Sequence, residues 1–471
     1  MFRKFSLILL SLTLTILPVF SIEDINDGDV LTLDKCIEIA INNSPNVAKA
    51  KANLKQAEAG VGRAKAAWTP ALGVGTGFRG SNTWERHQSH ANRYFGVDAS
   101  ISQMIYDFGK TNASINLSKF NKMAAEYELE YVILETTNEV KQAYLRVLAA
   151  NARKDVYEEY LEINERLYDQ TKAYYEEGIK SRIDFVNAEV SLSNAKYDQI
   201  EAVDEFCDAT INLNRVMYLK ESKNYSIVPL EKFNARDEQM PAVHIHRHDH
   251  VDEREHEHHH IEDISLASTI REQDLIGKHI LEPFSKSFDE VYDTAKKNRP
   301  DLKSYLAIKD SMNESLKYTK RSWFPELGTN AGYEFGRSHG NNSNSISYGI
   351  DLSIPMVRPV DVKFEIDSAK AGVESATEDV KLMYHNIYYD VQLAMCEAKV
   401  LEQQIPLVFE RVKLAKEEFE LAEGRYQEGI GNYIELQDAK SKYLNAQEEY
   451  IGTVYQYGVS RAELDFVMGV R

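Results

Sequence analysis

Neutral imidazoles flanked by carboxylates are the side chains best suited to hold a transition metal, and this chain concentrates them in one place. Eight of its thirteen histidines fall within seventeen residues: His244, His246, His248, His250, His256, His258, His259 and His260. Asp249, Asp252, Glu253 and Glu257 are interleaved among them. Such a mixture binds Zn²⁺, Ni²⁺ or Cu²⁺ without a fixed geometry. A tolerated low-complexity linker has the same composition, so the tract stands both as a candidate metal site and as a plain insert. It also contains a formal H-E-x-x-H, His256 to His260. A metalloprotease needs that pattern on a rigid helix with a third ligand and a dry cleft; within a run of histidines composition nearly forces the match. No G-x-S-x-G, P-loop or dinucleotide fingerprint stands where strand and helix would support it, so the chain is read as not an enzyme, with no required cofactor. A second constellation is acidic. Glu435 and Asp438 lie six and nine residues beyond Gly429, and three apart on a helix they share a face.

The elements that carry these residues follow from patterning. The 471-residue chain has 55 Lys+Arg against 74 Asp+Glu, a net charge of −19, and is 10% aromatic. There is ample apolar surface for a core, which excludes disordered and collagen-like chains. The acidic balance argues against a nucleic-acid partner, which would need cations. Cys36, Cys207 and Cys396 are far apart and odd in number, so they give no disulfide framework and read as small buried hydrophobes. Arg3 and Lys4 precede an apolar run from Phe5 to Phe20, followed by Ser21. Residues 1–21 read as an export signal cut before Ile22, an uncleaved anchor being the other reading.

The chain is one motif written twice. Asn43 and Asn298, Pro45 and Pro300, Trp68 and Trp323, Pro70 and Pro325, and Leu72 and Leu327 are 255 apart. Val97-Asp98 and Ile350-Asp351 are 253 apart, and Tyr175, Glu177, Gly178 and Ile179 precede Tyr426, Glu428, Gly429 and Ile430 by 251. A drift of four corresponds to two small loop deletions. The period is far above that of solenoids, so this is a duplicated domain. The predicted boundaries are a first repeat over 22–220, the His-rich insert over 221–284, and a second repeat over 285–471.

Within each repeat, helix gives way to strand and back to helix. Residues 33–67 read as helix broken at Pro45, with Asp34 as cap. Strands are expected at about 72–80 and 94–106, and at about 327–337 and 345–357. Ile346, Tyr348, Ile350, Leu352 and Ile354 alternate with Ser345, Ser347, Gly349, Asp351 and Ser353, a period of two with one apolar face. The polar stretches 81–92 and 338–344 read as loops. Helical arms follow over 111–220 and 361–468. Phe120, Ala124, Tyr127, Tyr131 and Leu134, like Val412, Ala415, Phe419, Ala422 and Tyr426, step by three and four, the spacing of a coiled-coil seam. The arm from Thr111 to Glu177 would be about 100 Å long, and Gly178 and Gly429 read as turns between an outgoing and a returning helix. Four amphipathic strands cannot close a membrane barrel, whose minimum is about eight, and open edges are forbidden in lipid. Several chains would have to pool strands.

The duplication, the strand pairs after Trp-x-Pro-x-Leu, the segment Tyr106-Asp107-Phe108-Gly109-Lys110 and the Tyr-x-Glu-Gly-Ile turns together resemble the TolC family of outer-membrane efflux ducts. The resemblance covers nearly everything from Leu31 to Gly469 except the insert. It implies a mainly α fold with a membrane β-barrel: a homotrimer whose twelve strands, four per chain, lead into an α-helical tunnel across the periplasm. The implied partners are a periplasmic adaptor, an inner-membrane pump of RND or ABC type, and outer-membrane lipid. It further implies that Glu435 and Asp438 line a closed periplasmic entrance, with Asp184 as the first-repeat counterpart of Glu435. In a trimer these would form rings of like charge that favour cations. The family's basic latch residue falls at Gly431 here, and its first-repeat counterpart is Lys180. The turns Gly178-Ile179-Lys180-Ser181 and Gly429-Ile430-Gly431-Asn432 would face the adaptor. Two other readings remain at this stage, a structural periplasmic coiled-coil protein and a metal-buffering protein that displays the His tract.

Overall fold

The computed structural model describes residues 25, 28–85, 88–221, 223, 225–228, 284–338, 341–355 and 358–470. The export signal and the histidines of the insert lie outside the described residues. Each repeat opens with two helices separated by one residue: α1 (Leu33–Asn43) and α2 (Pro45–Ala66), then α5 (Phe288–Asn298) and α6 (Pro300–Arg321). Proline at the first position of α2 and α6 fixes φ for a helix start while lacking only an N–H that would be unpaired there. The cap of α1 is Thr32, whose hydroxyl accepts from the Lys35 amide, and not Asp34. Asp34 sits in the first turn, where its charge suits the helix dipole.

Two strands follow in each repeat: β2 (Ala71–Glu85) and β3 (Gln88–Tyr106), then β5 (Glu326–Ser338) and β6 (Asn341–Ser353). They form one antiparallel sheet in the order β2-β3-β5-β6, so the two repeats meet through β3 and β5. The short strands β1 (Val30–Leu31) and β4 (Ser226–Ile227) pair in parallel elsewhere. The stretches read as loops are therefore mostly strand, with Asn82 opposite Ala91 and Arg337 opposite Asn342.

Register puts the two chemistries on opposite faces. Leu72, Val74 and Phe78 align with Ile101, Ala99 and Phe95, and these continue across the sheet to Ala331, Tyr333, Ile346 and Tyr348. The other face carries Gly73, Gly75 and Gly77 opposite Ser100, Asp98 and Gly96, then Gly332, Glu334 and Gly336 opposite Ser347, Ser345 and Ser343. The apolar face is bare: Tyr348 is 86% exposed and Ile350 74%. On the polar face the Tyr94 ring lies across the paired glycines Gly96 and Gly336, and its hydroxyl donates to Glu334. A Cβ at Gly336 would come within 2.1 Å of that hydroxyl. Gly336→Val should thus displace the ring and destabilise the sheet by about 1–3 kcal/mol, the usual range for overpacking. Urea titration of the single variant against Gly336→Val/Tyr94→Ala checks this: the double variant should recover part of the loss, and an additive result would exclude the contact.

The strands hand over to very long helices. The first repeat has α3 (Lys110–Glu176) and α4 (Arg182–Val216), and the second has α7 (Pro359–Gln427) and α8 (Tyr433–Val467). At 1.5 Å per residue α3 and α7 are each about 100 Å long. Asp107 turns β3 into α3: its carboxylate accepts from the Gly109 and Thr111 amides, while Phe108 and Gly109 both take left-handed φ. Lys110 then pairs with Glu326 at 2.6 Å, tying the head of α3 to the start of β5. Upper α3 packs between α2 and α6, and lower α3 lies against α4 and α8. Of the cysteines only Cys36 is buried, its thiol pushed up to about 12 by that burial; Cys207 and Cys396 are exposed, contrary to their reading as core residues.

Candidate functional site

The tips of the long helices build the narrow end of the molecule. Gly178 (φ 75°) and Gly429 (φ 72°) each end a helix in the left-handed region that only glycine occupies freely. In the first tip the Ile179 amide donates to the Tyr174 carbonyl and the Gly178 amide to the Tyr175 carbonyl. The second repeats this with Ile430 to Arg425 and Gly429 to Tyr426. The returning helices are capped at once. Ser181 and Asp184 form a reciprocal capping box, and the Asn432 side chain accepts from the Glu435 amide at 2.8 Å. Ser181 and Asn432 thus stop the tips from fraying. Ile179, Ile183, Ile430 and Ile434 remain exposed around them.

The acidic residues occupy this end but are not bare. Glu435 is paired with Arg425 at 2.7 Å. Asp438 is paired with Lys442 at 2.8 Å, and Lys442 also reaches Glu418 at 2.7 Å. The hydrogen bonds it donates to Asp438 and Glu418 hold the Lys442 ammonium above its usual range. Asp184 spends one carboxylate oxygen on the backbone amide and hydroxyl of Ser181. Within one chain the acids are therefore locally compensated, Asp438 by a lysine one helical turn on and Glu435 by an arginine from across the turn.

Lys180 lies where the two tips meet. Its ammonium donates to the Gly431 carbonyl at 3.4 Å and stands 4.6 Å from the centre of the Tyr426 ring. Tyr426 is fully buried and shares a hydrogen bond of 2.9 Å with Thr171; burial raises the pKa of its phenol. The position counterpart of Gly431 thus reaches Gly431 itself, joining the two repeats. Repeat arithmetic aligns these two residues but says nothing of their proximity in space.

Two further surfaces are unpaired. Leu393, Val400, Leu407, Leu414 and Leu421, seven apart on α7, are all exposed. On α4 the exposed residues Ile183, Val186, Val190, Tyr197, Ile200 and Ile211 follow a three-four spacing completed by Ser193, Asp204 and Cys207. Among the described residues these coiled-coil seams have no partner helix. Among the described residues no group of His, Cys, Asp and Glu has the geometry of a metal centre, and no helix is long and apolar enough to cross a membrane.

Comparison with known proteins agrees with this architecture. A family model described as outer membrane efflux protein matches residues 36–217 and 291–470, one match per repeat. Outer membrane protein TolC of Vibrio cholerae is 24% identical over 164 residues, 34% of this chain and 37% of that protein. Solvent efflux pump outer membrane protein SrpC of Pseudomonas putida is 20% identical over 159 residues, 33% and 34% of the two chains. The matched region spans only about a third of the length of these curated relatives. Likeness of fold is nearly complete. The crystal structure of CusC superposes with a TM-score of 0.73 at 15% identity over 96% of both chains. VceC from Vibrio cholerae gives 0.69 at 16% identity over 93% and 96%. The open state of the Neisseria gonorrhoeae MtrE outer membrane channel gives 0.68 at 16% identity over 93% and 89%. With its two repeats matched in turn and its helices and sheet arranged as in these channels, the chain belongs to the outer membrane efflux protein family.

Proposed function

We propose that three copies of this chain form a passive exit duct in the outer membrane, the last stage of a tripartite efflux or type I secretion system. The carrying observation is the four-stranded sheet, apolar on one face and polar on the other, whose edges β2 and β6 have no partner among the described residues. Unpaired edges cannot lie in lipid, so β6 of one copy pairs with β2 of the next until the ring closes. Twelve strands give an even, closed barrel with its apolar face on lipid and its glycine- and serine-rich face on water. The outer residues from Ile346 to Ile354 run roughly 27 Å along the strand, matching the apolar band of such barrels. The unpaired α4 and α7 seams extend the same copy-to-copy contact down a helical tunnel in the periplasm.

In this reading the tips point inward. Gly178 to Ser181 and Gly429 to Asn432, with exposed Ile179 and Ile430, are the surface offered to a periplasmic adaptor and through it to an inner-membrane pump. The duct performs no chemistry. Glu435 and Asp438 form the entrance, Asp184 braces the adjacent turn, and Lys180 holds the two tips of each chain together. Cation preference arises because three copies bring these carboxylates toward one axis.

Single-channel recording in planar bilayers tests the reading. The wild type should give small cation-selective steps. Glu435→Ala/Asp438→Ala leaves Arg425 without its partner and Lys442 with Glu418 alone, so conductance should rise and cation selectivity should weaken. Unchanged steps in the variant would discard these gate residues, and no steps from folded, trimeric protein would discard the duct.

A further inference from the structure

Lys440 is the odd residue in the lower half of the molecule. On α8 the residues Tyr433, Leu436, Lys440, Tyr443, Gln447, Tyr450, Val454 and Tyr457 step by three and four, and all are buried. Lys440 therefore occupies a core position of a coiled-coil seam and is only 1% exposed. Its amine donates to the Asn164 side-chain carbonyl of α3 and lies 5.3 Å from the centre of the Tyr160 ring. Asn164 spends its own amide group on the Tyr160 carbonyl. The titratable groups around this seam are Glu159 and Tyr160 on α3, Asp198 on α4, Lys416 and Glu420 on α7, and Tyr433 and Tyr443 on α8. Among the described residues none of the carboxylates forms an ion pair with Lys440. A charged ammonium with three donors and one neutral acceptor is poorly solvated there.

This seam is also where the two hairpins meet. The α3/α4 hairpin meets the α7/α8 hairpin through an apolar cluster that includes Ile163, Leu167, Ala188, Phe419 and Leu436, and through side-chain hydrogen bonds: Thr171 with Tyr426, Tyr157 with Glu448, Gln437 with Ser191, and Arg166 with Glu423. Water can replace the hydrogen bonds when the helices part, while the apolar cluster opposes parting. Lys440 stands eleven residues, on the order of 16 Å, from the Gly429 turn, so separation there is transmitted to the tips.

We propose that Lys440 is a proton-operated tie between the two hairpins: neutral, it closes the seam; protonated, it drives α8 away from α3 and opens the tip end of the tunnel. The proposal rests on the reading of the tips as the entrance of a duct. Burial alone pushes the Lys440 amine down to about 7, whereas a solvated lysine titrates near 10.4. The parted state is therefore the one that binds the proton. The closed state has its full advantage above pH ~10.4, loses it as pH falls, and loses no more below pH ~7. Glu159 and Asp198, raised by burial, act in the opposite sense, favouring the closed seam as they take up protons. A rise in opening with falling pH is thus specific to the lysine.

The test reads tip separation, not transport. Spin labels are placed at Glu177→Cys and Glu428→Cys in a Cys207→Ser/Cys396→Ser background, with labelled chains diluted into unlabelled ones. The ratio of long to short tip distances should rise about tenfold per pH unit from pH 9 to 7 and level off below. Lys440→Met, which keeps the chain length without the charge, should show no slope. Asn164→Asp supplies a counter-charge and should keep the short distance down to pH 6. A wild type without pH dependence, or Lys440→Met with the wild-type slope, overturns the tie. Distances that respond as expected in protein that fails to conduct would support the tie and count against the duct.

Discussion

Leu407→Glu/Leu414→Glu should convert the proposed trimer to monomers. Both side chains belong to the seven-residue stripe on α7 and both are exposed in the single chain, 68% and 58%. A stripe of period seven sustained over five positions serves no purpose on a solvated helix, where each leucine would forgo about 1.5–3 kcal/mol of burial. Its natural complement is the α4 seam from Ile183 to Ile211, because α4 and α7 carry the exposed seams on different hairpins of the chain. Contact between unlike surfaces on successive copies generates a ring. Two glutamates per chain would place six unpaired charges in three dry interfaces. Native mass spectrometry of detergent-solubilised protein should then find one copy, with no channel activity because β2 and β6 lose their partners together. Leu407→Met/Leu414→Met, which nearly conserves volume, should stay trimeric. A trimer that survives the glutamates would show that the stripe faces something else.

The elements differ in how openly the sequence shows them, for physical reasons. The helices and the duplication are legible because each helix buries a stripe along most of its length, so periodicity persists over many turns. Of the seam read as Val412, Ala415, Phe419, Ala422 and Tyr426, the last four are buried and Val412 is half-buried. The strand ends are hidden because alternation appears only where one face is apolar. From Asn342 to Ser345 the residues on both faces are polar, so the strand carries the Asn and Ser of a loop. The acidic positions are visible as spacing, and so is the i,i+4 pair of Asp438 with Lys442, whereas Arg425 reaches Glu435 across the tip turn and no helical period records that contact. Lys180 against Gly431 is a contact between repeats separated by some 250 residues, and no local pattern records it. Lys440 was within reach: a cation on a three-four stripe of tyrosines and leucines is a polar residue at a core position.

Opposite faces of β6 should respond in opposite ways to the same substitution. Ile350 lies midway along the apolar run from Ile346 to Ile354, paired with Thr329. Ser347 lies on the other face, opposite Gly332, where no bulky side chain competes for space. In the proposed barrel, Ile350→Arg would place a guanidinium near the middle of the lipid layer and should destabilise the inserted protein by about 2–4 kcal/mol. Urea titration of protein folded into vesicles measures this directly. Ser347→Arg would put the identical group into the proposed water-filled lumen, where desolvation is small, so stability should hardly change. Its effect should appear as current: three added cations beside Asp98 and Glu334 would weaken cation selectivity. The two sites are three residues apart on one strand and receive the same added charge, one on the apolar face and one on the polar face of the sheet. Equal penalties at both sites would mean the sheet is solvated on both faces and no barrel forms, and a larger penalty at Ser347 would turn the sheet inside out.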